Sequence, residues 1–243
     1  MSLHLPHVIG HRGAAAYAPE NTLVGIRTAY DMGVDWVELD VKLTKDSIPI
    51  LFHDDTTERT TNGGDSKIAE LTYAELKDLE AGSWFSEGYI GEPIPTLEEA
   101  IDLLIELDMG LNLEIKPCPS RERETTEVAL DVLSKYWDDH QRLLISSFQI
   151  TCLESAMDVA ADWHRGLLLD KEYADNWGEI AKHLNVSTIN INGNSVTEEE
   201  IRSFQRFGKP LLAYTINDED HASWLFDLGI TGIFSDSPDL FLD

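Results

Sequence analysis

The chain has few cysteines and no long apolar run. Only Cys118 and Cys152 occur among its 243 residues. Two cysteines are too few for a disulfide framework, they are not at the spacing of a metal site, and they fit a reducing compartment. No stretch approaches the ~20 apolar residues that a membrane span requires. Residues 1–6 show neither the basic region nor the apolar run of a signal peptide. We therefore expect a cytoplasmic protein without stable membrane insertion.

Basic residues are also scarce. The chain has 18 lysines and arginines against 45 acidic residues, which gives a formal net charge of −27. Binding to nucleic-acid phosphates needs clustered Lys and Arg, so we expect no nucleic-acid partner. Anionic membrane surfaces should repel such a chain as well. Most of the excess charge is typical of a solvated acidic surface, and the sequence does not define an oligomeric state.

Strand-like and helix-like segments alternate along the chain. The strands are predicted at 7–12, 36–42, 48–53, 111–116, 142–147, 165–169, 187–191, 210–215 and 231–234. Helices are predicted between most of them, for example over 97–108 after a Thr96/Glu99 capping box, and again after a Thr197/Glu200 box. Repeated βα units over 243 residues predict an α/β fold, a TIM-type (β/α)8 barrel that forms a single domain.

One predicted strand exceeds the eight of such a barrel. The link between Val41 and Ile48 is too short for a parallel crossover, which needs a dozen residues or more. We expect these two strands to form an antiparallel hairpin around residues 44–47. A turn centred there would place Glu38 opposite His53.

A long segment, about 56–94, follows the strand that ends in His53-Asp54. Loops of this length in a compact domain are usually functional. The segment is therefore predicted to be a small insertion subdomain that overhangs the site to which His53 and Asp54 contribute. Its aromatic residues Trp84, Phe85 and Tyr89 either line a substrate pocket or form the small core of the insertion.

Carboxylates collect on the predicted strands. Side chains at i and i+2 of a strand point to one face, so Glu38 lies beside Asp40, and Glu114 beside Lys116. Carboxylate oxygens suit hard divalent cations such as Mg²⁺ or Ca²⁺. Without a cation, three anions this close would repel and raise one another's pKa. The alternative is an exposed polar face on half-buried strands.

Two histidines stand at predicted strand ends. His11 and His53 each follow an apolar run, at the carboxyl end of a strand, where barrel enzymes place their catalytic groups. Histidine titrates near neutrality, so one ring can accept a proton while the other donates one. The pair therefore predicts general acid and base catalysis.

Two cations accompany these groups. Arg12 and Lys116 either form structural ion pairs, such as Arg12 with Glu20 or Lys116 with Glu38, or bind an anionic ligand. A phosphodiester fits, because guanidinium grips phosphate oxygens in a fork and lysine acts as a point charge. Carboxylates, histidines and cations together predict a metal-dependent site for a phosphate ester.

These motifs together resemble the glycerophosphodiester phosphodiesterase family, in its cytoplasmic bacterial type. The resemblance rests on His11-Arg12-Gly13, Pro19-Glu20-Asn21-Thr22, Glu38-Leu39-Asp40-Val41, Thr44-Lys45-Asp46, residues 49–54, Arg59-Thr60-Thr61 with Gly63, residues 95–99, Leu113-Glu114-Ile115-Lys116, Ser147-Phe148 and residues 229–238. It covers nearly the whole chain. It implies a TIM-type barrel with a small insertion, and metal-dependent hydrolysis of glycerophosphodiesters to sn-glycerol 3-phosphate and an alcohol.

The resemblance also assigns roles to residues. It implies cation ligands Glu38, Asp40 and Glu114, acid/base residues His11 and His53, phosphate ligands Arg12 and Lys116, and supporting residues Glu20 and Asn21. Together with Trp84 and Phe85 of the insertion, Phe148 and Tyr214 are the candidate pocket residues. The cation would be Mg²⁺ or Ca²⁺, with Mn²⁺ as a further candidate. The hypothesis for the mechanism is attack by the glycerol 2-hydroxyl through a cyclic phosphate, and direct attack by water is its alternative.

One departure and two rival functions accompany the resemblance. Where many relatives have Trp-Thr-Val-Asn, this chain has Tyr214-Thr215-Ile216-Asn217, which keeps the aromatic wall, adds a hydroxyl and puts the substrate preference in question. A lysophospholipase D-like phosphodiesterase is the enzymatic rival, but such proteins are typically secreted and disulfide-bonded. A catalytically silent barrel used as a binding module would have lost charged positions, and here all of them are present.

Overall fold

The computed structural model describes residues 2–171 and 173–242 and contains a closed barrel. The strands are β1 Val8–His11, β2 Trp36–Leu43, β3 Pro49–Leu51, β4 Gly110–Ile115, β5 Leu143–Ser147, β6 His164–Leu169, β7 Thr188–Asn192, β8 Leu211–Tyr214 and β9 Gly232–Ser235. They form one sheet in the order β1-β9-β8-β7-β6-β5-β4-β2-β3, and β2 also pairs with β1. All pairings except that of β2 with β3 are parallel. Eight parallel strands therefore close on themselves, which confirms the predicted TIM-type barrel.

Helices connect the strands and cover the barrel. They are α1 Leu23–Asp31, α2 Tyr73–Leu76, α3 Leu97–Glu106, α4 Glu122–Tyr136, α5 Ile150–Val159, α6 Trp177–His183, α7 Glu198–Gln205 and α8 Glu219–Asp227. Both predicted capping boxes are formed, at Thr96 with Glu99 and at Thr197 with Glu200. These boxes satisfy amide groups that the first helical turn leaves without partners. None of the helices among the described residues is long and apolar enough to span a membrane.

The hairpin of β2 and β3 is antiparallel, as predicted, but its register differs by one residue. Val41 pairs with Leu51, and Leu43 with Pro49. The turn is a three-residue loop, residues 45–47, in which Ser47 has φ 60°. The backbone amide of Thr44, just before the loop, donates to the carbonyl of Ile48, just after it. Such a loop takes one residue more than a two-residue turn and shifts every pair by one position.

The prediction that Glu38 faces His53 across this hairpin is therefore wrong. Glu38 of β2 is instead paired in register with His11 of the parallel strand β1. His53 lies beyond Leu51, the last residue of β3, and reaches the same end of the barrel from there.

The segment between β3 and α3 packs on the outside of the barrel. It contains α2 and two short 3-10 turns, and its buried apolar side chains form one cluster with Ile50 of β3 and with Cys118; they are Phe52, Ile68, Leu76, Ala81 and Ile94. Trp84, Phe85 and Tyr89 contact one another edge to face, with ring centroids 5.7 and 5.5 Å apart. None of these three side chains belongs to the buried cluster of the segment, and Trp84 is exposed, so they do not form its core.

The interior of the barrel is apolar at one end and polar at the other. Side chains of Ile9, Trp36, Leu144, Leu212 and Phe234 form a buried cluster inside the barrel. Larger apolar clusters lie between the strands and the helices. Cys118 and Cys152 are buried and free. Because this apolar cluster fills one end of the barrel interior, polar inward-facing residues can form a site only at the other end, toward the carboxyl ends of the strands.

Candidate active site

Three carboxylates meet at the carboxyl ends of β2 and β4. The strand register places Asp40 beside Glu114, and Glu38 lies on the same face of β2, two residues earlier. One ligand oxygen from each of the three residues lies within 4.8 Å of the others. Atom Oε1 of Glu38 is buried and accepts no hydrogen bond from the described residues. The oxygen donors and the buried acceptor without a partner fit a hard divalent cation.

Burial and repulsion set the protonation of this cluster. Burial, with the charge of Asp40, raises the pKa of Glu38 well above its usual value and that of Glu114 to about 7. Burial acts in the same direction on Asp40, but the charges of Arg12 and Lys116 hold its pKa below the usual value. A cation would favour the ionised form of all three groups.

The loop between β1 and α1 brings Arg12 and Asn21 to the cluster. Both residues adopt left-handed backbone conformations, with φ 52° and 56°. The amide group of Asn21 donates to Oδ2 of Asp40 at 2.8 Å, and its carbonyl oxygen accepts from the amide of Asp40 at 3.0 Å. The backbone amide of Arg12 donates to Oε2 of Glu38 at 3.0 Å. Asn21 and the Arg12 backbone thus orient two of the three carboxylates.

Glu20 joins two arginines. Arg12 Nη1 donates to Glu20 Oε1 at 2.8 Å, and Arg59 donates to both oxygens of Glu20 at 2.7 and 2.8 Å. Arg59 also donates to both oxygens of Asp54 at 2.7 and 2.9 Å. The structural pair of Arg12 with Glu20 therefore exists, and a chain of ion pairs extends from it through Arg59 to Asp54. We predicted no role for Arg59 from the sequence.

A carboxylate holds each of the two histidines. Nδ1 of His53 lies 2.6 Å from Oδ1 of Asp54, and Nδ1 of His11 lies 2.7 Å from Oδ1 of Asp236. Asp236 is held in turn by Asn217, whose Nδ2 donates to it at 2.8 Å. Nε2 of His11 lies 3.8 Å from Oε2 of Glu38. A carboxylate on Nδ1 fixes the orientation of an imidazole and leaves Nε2 for a substrate.

Lys116 pairs with Glu114 and not with Glu38. Its Nζ donates to Oε1 of Glu114 at 3.0 Å and lies 5.6 Å from the ring centroid of Phe148. Phe148 contacts Tyr214 edge to face at 5.7 Å. The hydroxyl of Tyr214 donates to the carbonyl of Leu169 at 2.8 Å. The hydroxyl that distinguishes this chain from many relatives is therefore bound by the main chain.

A cavity of about 190 Å³ connects these groups. Its lining residues are His11, Arg12, Glu38, His53, Asn112, Glu114, Lys116, Ser146, Phe148, Leu168, Tyr214, Thr215 and Phe234. Asp40, Glu20 and Asn21 contact lining residues from behind. Trp84 and Phe85 are not among the described residues that line it. An adjoining groove of about 370 Å³ shares His53, Glu114, Lys116 and Phe148 with the cavity.

Sequence reasoning missed several contributors. Asp54 directly follows His53, and Asp236 directly follows β9, so carboxylates next to a histidine or a strand end were the available signal. Asn112 lies two residues before Glu114, and the alternation of strand side chains could have placed it on the same face. Arg59 belongs to the Arg59-Thr60-Thr61 motif of the resemblance, but its partners could not be predicted, because it lies in an irregular segment without the periodicity of a strand.

Replacing Asp236 by asparagine should lower kcat about 10- to 100-fold with little change in KM, because the ring of His11 loses the charge that orients it. Steady-state kinetics on a diester substrate would measure this effect. Asp239→Asn is the matched control, since Asp239 accepts a hydrogen bond from the hydroxyl of Tyr17 at the surface. Equal losses of kcat in the two variants would show that Asp236 acts only on stability.

A closed (β/α)8 barrel with two histidines and a cluster of three carboxylates at the carboxyl ends of its strands has the organisation of a TIM-barrel enzyme. The family model described as "Glycerophosphoryl diester phosphodiesterase family" matches residues 11–240. The chain therefore belongs to the glycerophosphodiester phosphodiesterase family, as the sequence motifs predicted.

Individual relatives agree with this assignment over most of their length. The chain is 30% identical to a glycerophosphodiester phosphodiesterase of Caldanaerobacter subterraneus over 236 residues, which covers 97% of this chain and 96% of that protein. The structure of an Oleispira antarctica phosphodiesterase in complex with the product sn-glycerol-3-phosphate is 41% identical, with a TM-score of 0.92 and coverage of 97% and 94%. A glycerophosphodiester phosphodiesterase structure from Thermotoga maritima is 29% identical, with a TM-score of 0.77 and coverage of 98% and 97%.

Proposed function

We propose that this protein hydrolyses glycerophosphodiesters to sn-glycerol 3-phosphate and an alcohol. The observation that carries the proposal is one cavity lined by two histidines, two cations and members of a carboxylate cluster. Phosphodiester hydrolysis can use all three kinds of group, for proton transfer and for stabilisation of the charge on the phosphate. The product bound to the Oleispira antarctica relative supports the same substrate class.

Glu38, Asp40 and Glu114 would hold a divalent cation, with Mg²⁺ and Ca²⁺ as the first candidates and Mn²⁺ as a further one. The buried Oε1 of Glu38 and the raised pKa of Glu114 support the fit. The first is an acceptor without a donor among the described residues, and the second reflects burial and the charge of Asp40, which the ion pair of Glu114 with Lys116 does not offset. When bound, the cation would supply Lewis-acid chemistry beside a substrate hydroxyl and a phosphoryl oxygen.

Arg12 and Lys116 would bind the phosphate. Burial acts against the charge of both side chains, but the neighbouring carboxylates raise the pKa of each above its usual value. Both therefore stay positive in a buried site and offer the phosphate fixed charges. Glu20, paired with Arg12 and Arg59, positions the guanidinium.

The two histidines differ in where they lie. His53 lines both the cavity and the adjoining groove, whereas His11 lines the cavity. The alcohol that leaves through the groove therefore lies next to His53, which we assign as the general acid. Burial, together with Arg12 and Lys116, lowers the pKa of His53 despite the charge of Asp40.

In the first step, Nε2 of His11 takes the proton of the glycerol 2-hydroxyl. The hydroxyl oxygen forms a bond to phosphorus, the bond from phosphorus to the alcohol oxygen breaks, and His53 gives that oxygen a proton. In the second step, His53 takes a proton from water, the water oxygen forms a bond to phosphorus, the bond from phosphorus to the 2-oxygen breaks, and His11 returns its proton to the 2-oxygen. Phosphorus NMR under single-turnover conditions would detect the cyclic phosphate, and its absence would favour direct attack by water.

The segment of about 56–94 would be an insertion within a single barrel domain. Its Arg59 contacts Glu20 and Asp54, so the insertion contributes to the site by holding the two loops that carry Arg12 and His53. A cytoplasmic location stays a prediction.

Removal of divalent cations should lower the release of sn-glycerol 3-phosphate about a thousandfold, because several kcal/mol of charge stabilisation is lost. A coupled dehydrogenase assay would follow the release from glycerophosphocholine, glycerophosphoethanolamine and glycerophosphoglycerol, with EDTA and then with added Mg²⁺, Ca²⁺ or Mn²⁺. The His11→Ala variant is the inactive control. No release from any of the three diesters by folded protein with any of the cations would contradict the proposed function.

A further inference from the structure

We propose that the groove beside the cavity is a subsite for the leaving alcohol, and that it favours a neutral alcohol with several hydroxyl groups over a cationic alcohol such as choline. Asp55 and Gln149 would bind the hydroxyl groups, and Lys42 would hold Asp55 in place. The proposal rests on the proposed function and narrows its substrate class on the side of the alcohol.

The groove begins where the cavity ends. The two share His53, Glu114, Lys116 and Phe148, so a substrate whose phosphate contacts Lys116 extends its leaving alcohol past His53 into the groove. The groove has a volume of about 370 Å³, which exceeds the ~300 Å³ at which pockets for small molecules begin. It can therefore hold the whole alcohol.

Every carboxylate among the described residues that line the groove is already paired with a cation of the protein. These ion pairs are Lys42 with Asp55 at 2.8 Å, Lys116 with Glu114 at 3.0 Å and Arg59 with Asp54 at 2.7 Å. The charges of the groove wall therefore offset one another. The ammonium group of a cationic alcohol would find no carboxylate there that lacks a positive partner.

The aromatic ring that lines the groove also has a cation beside it. Ammonium ligands are commonly bound over the faces of aromatic side chains. Apart from the imidazole of His53, Phe148 is the one aromatic side chain among the described lining residues, and Nζ of Lys116 lies 5.6 Å from its ring centroid. Lys116 would repel a second cation at this ring. Both kinds of group that bind an ammonium ion are thus occupied by the protein's own cations.

Two side chains of the groove keep unused capacity for hydrogen bonds. The side chain of Asp55 is 57% exposed and accepts from Lys42 through Oδ1, whereas its Oδ2 has no donor among the described residues. Gln149 is exposed, and only its backbone takes part in hydrogen bonds to these residues, for example to Oγ of Ser147. A carboxylate accepts, and a carboxamide both donates and accepts. This combination suits neighbouring hydroxyl groups, each of which is a donor and an acceptor.

Lys42 restrains Asp55 at the edge of the groove. Its side chain lies on the same face of β2 as Glu38 and Asp40, nearer the carboxyl end of the strand, and is 1% exposed. A buried ammonium group is stable only with a partner close by. Asp55 is the one carboxylate paired with it among the described residues. The pair therefore fixes the carboxylate of Asp55 and cancels its charge.

Three diesters of sn-glycerol 3-phosphate test the proposal, those with erythritol, with butan-1-ol and with choline. Erythritol and butan-1-ol share a four-carbon chain, so this pair isolates the hydroxyl groups, and choline adds the charge. A coupled dehydrogenase assay measures the release of sn-glycerol 3-phosphate at physiological ionic strength, where the remote surface charge is largely screened. The wild-type protein should hydrolyse the erythritol diester with a kcat/KM about 10-fold above that of the choline diester.

Two variants separate the hydroxyl contacts from the charge. Gln149→Ala should lower kcat/KM on the erythritol diester about 5- to 10-fold and on the butyl diester less than about 2-fold. Lys42→Met leaves Asp55 without its cation and should raise kcat/KM on the choline diester about 3- to 5-fold. A gain on one substrate does not arise from a damaged fold. If Lys42→Met does not fold, the exposed Gln149→Ala still tests the proposal.

Gln141→Ala is the matched control for Gln149→Ala. Gln141 is an exposed glutamine that directly precedes β5, at the end of the barrel opposite to the groove. Its replacement should leave the ratios among the three diesters unchanged.

The outcomes distinguish the subsite from the function on which it rests. No sn-glycerol 3-phosphate from any of the three diesters would contradict the proposed function itself. Release from all three, without a preference of the wild type for erythritol over choline, would overturn the subsite alone. Equal losses of Gln149→Ala on the erythritol and butyl diesters would overturn it too, as would a loss of activity of folded Lys42→Met on the choline diester.

Discussion

Replacing His53 by alanine is expected to lower kcat on glycerophosphoethanolamine by about 10²- to 10⁴-fold, because the alcohol then leaves without a proton. A diester with a p-nitrophenyl leaving group needs no such proton. On that substrate the loss in His53→Ala should be much smaller, whereas His11→Ala should lose a similar factor on both substrates. Steady-state kinetics of both variants on both diesters would measure the effect.

His183→Ala is a suitable control for this series. The side chain of His183 is 62% exposed, and its nearest charged partner is Glu154. Its replacement should leave kcat unchanged. If His53→Ala loses the same factor on both diesters and His11→Ala does not, the acid and base assignments are reversed.

Replacing Glu38 by glutamine is expected to lower metal-dependent activity about a thousandfold, because the variant loses a cation ligand and with it several kcal/mol of charge stabilisation.

The same change should raise the thermal stability of the metal-free protein at pH 8. Burial, then the charges of Asp40 and Glu114, raise the pKa of Glu38 in the folded state. A carboxyl group with a raised folded-state pKa destabilises the protein as the pH rises above its unfolded value. Glutamine carries no such penalty.

Thermal unfolding in EDTA at pH 5 and pH 8, followed by addition of Ca²⁺, would test both parts of this prediction. The wild-type protein should lose stability between the two pH values more than Glu38→Gln does, and only the wild type should be strongly stabilised by Ca²⁺. Glu198→Gln, at an exposed pair with Arg202, is the matched control. Equal stabilisation of wild type and Glu38→Gln by Ca²⁺ would show that the cation binds elsewhere.

The sequence by itself determined the elements and much of the site. Capping boxes such as Thr96 with Glu99, and the alternation of strand side chains, are local signals that depend on neighbouring residues only. Groups at the ends of parallel strands converge on one end of a barrel. For this reason the sequence alone predicts that Glu38, Asp40 and Glu114 lie together, although they come from two strands that are distant in sequence.

Only the tertiary structure decided the partners and the register. The left-handed Ser47 added one residue to the hairpin turn and moved His53 out of line with Glu38. Lys116 pairs with Glu114 on its own strand, while Arg59 reaches Glu20 across 39 residues of sequence. Trp84 and Phe85 pack within their own segment.

These features depend on contacts between residues that are remote in sequence. Strand periodicity places a side chain on a face of the sheet, but its hydrogen-bond partner depends on the path of loops that have no such period. Asn112 illustrates both parts. Its position two residues before Glu114 fixed the face on which it lies, whereas the absence of a donor for its carbonyl oxygen, among the described residues, depended on how eight strands close around one cavity.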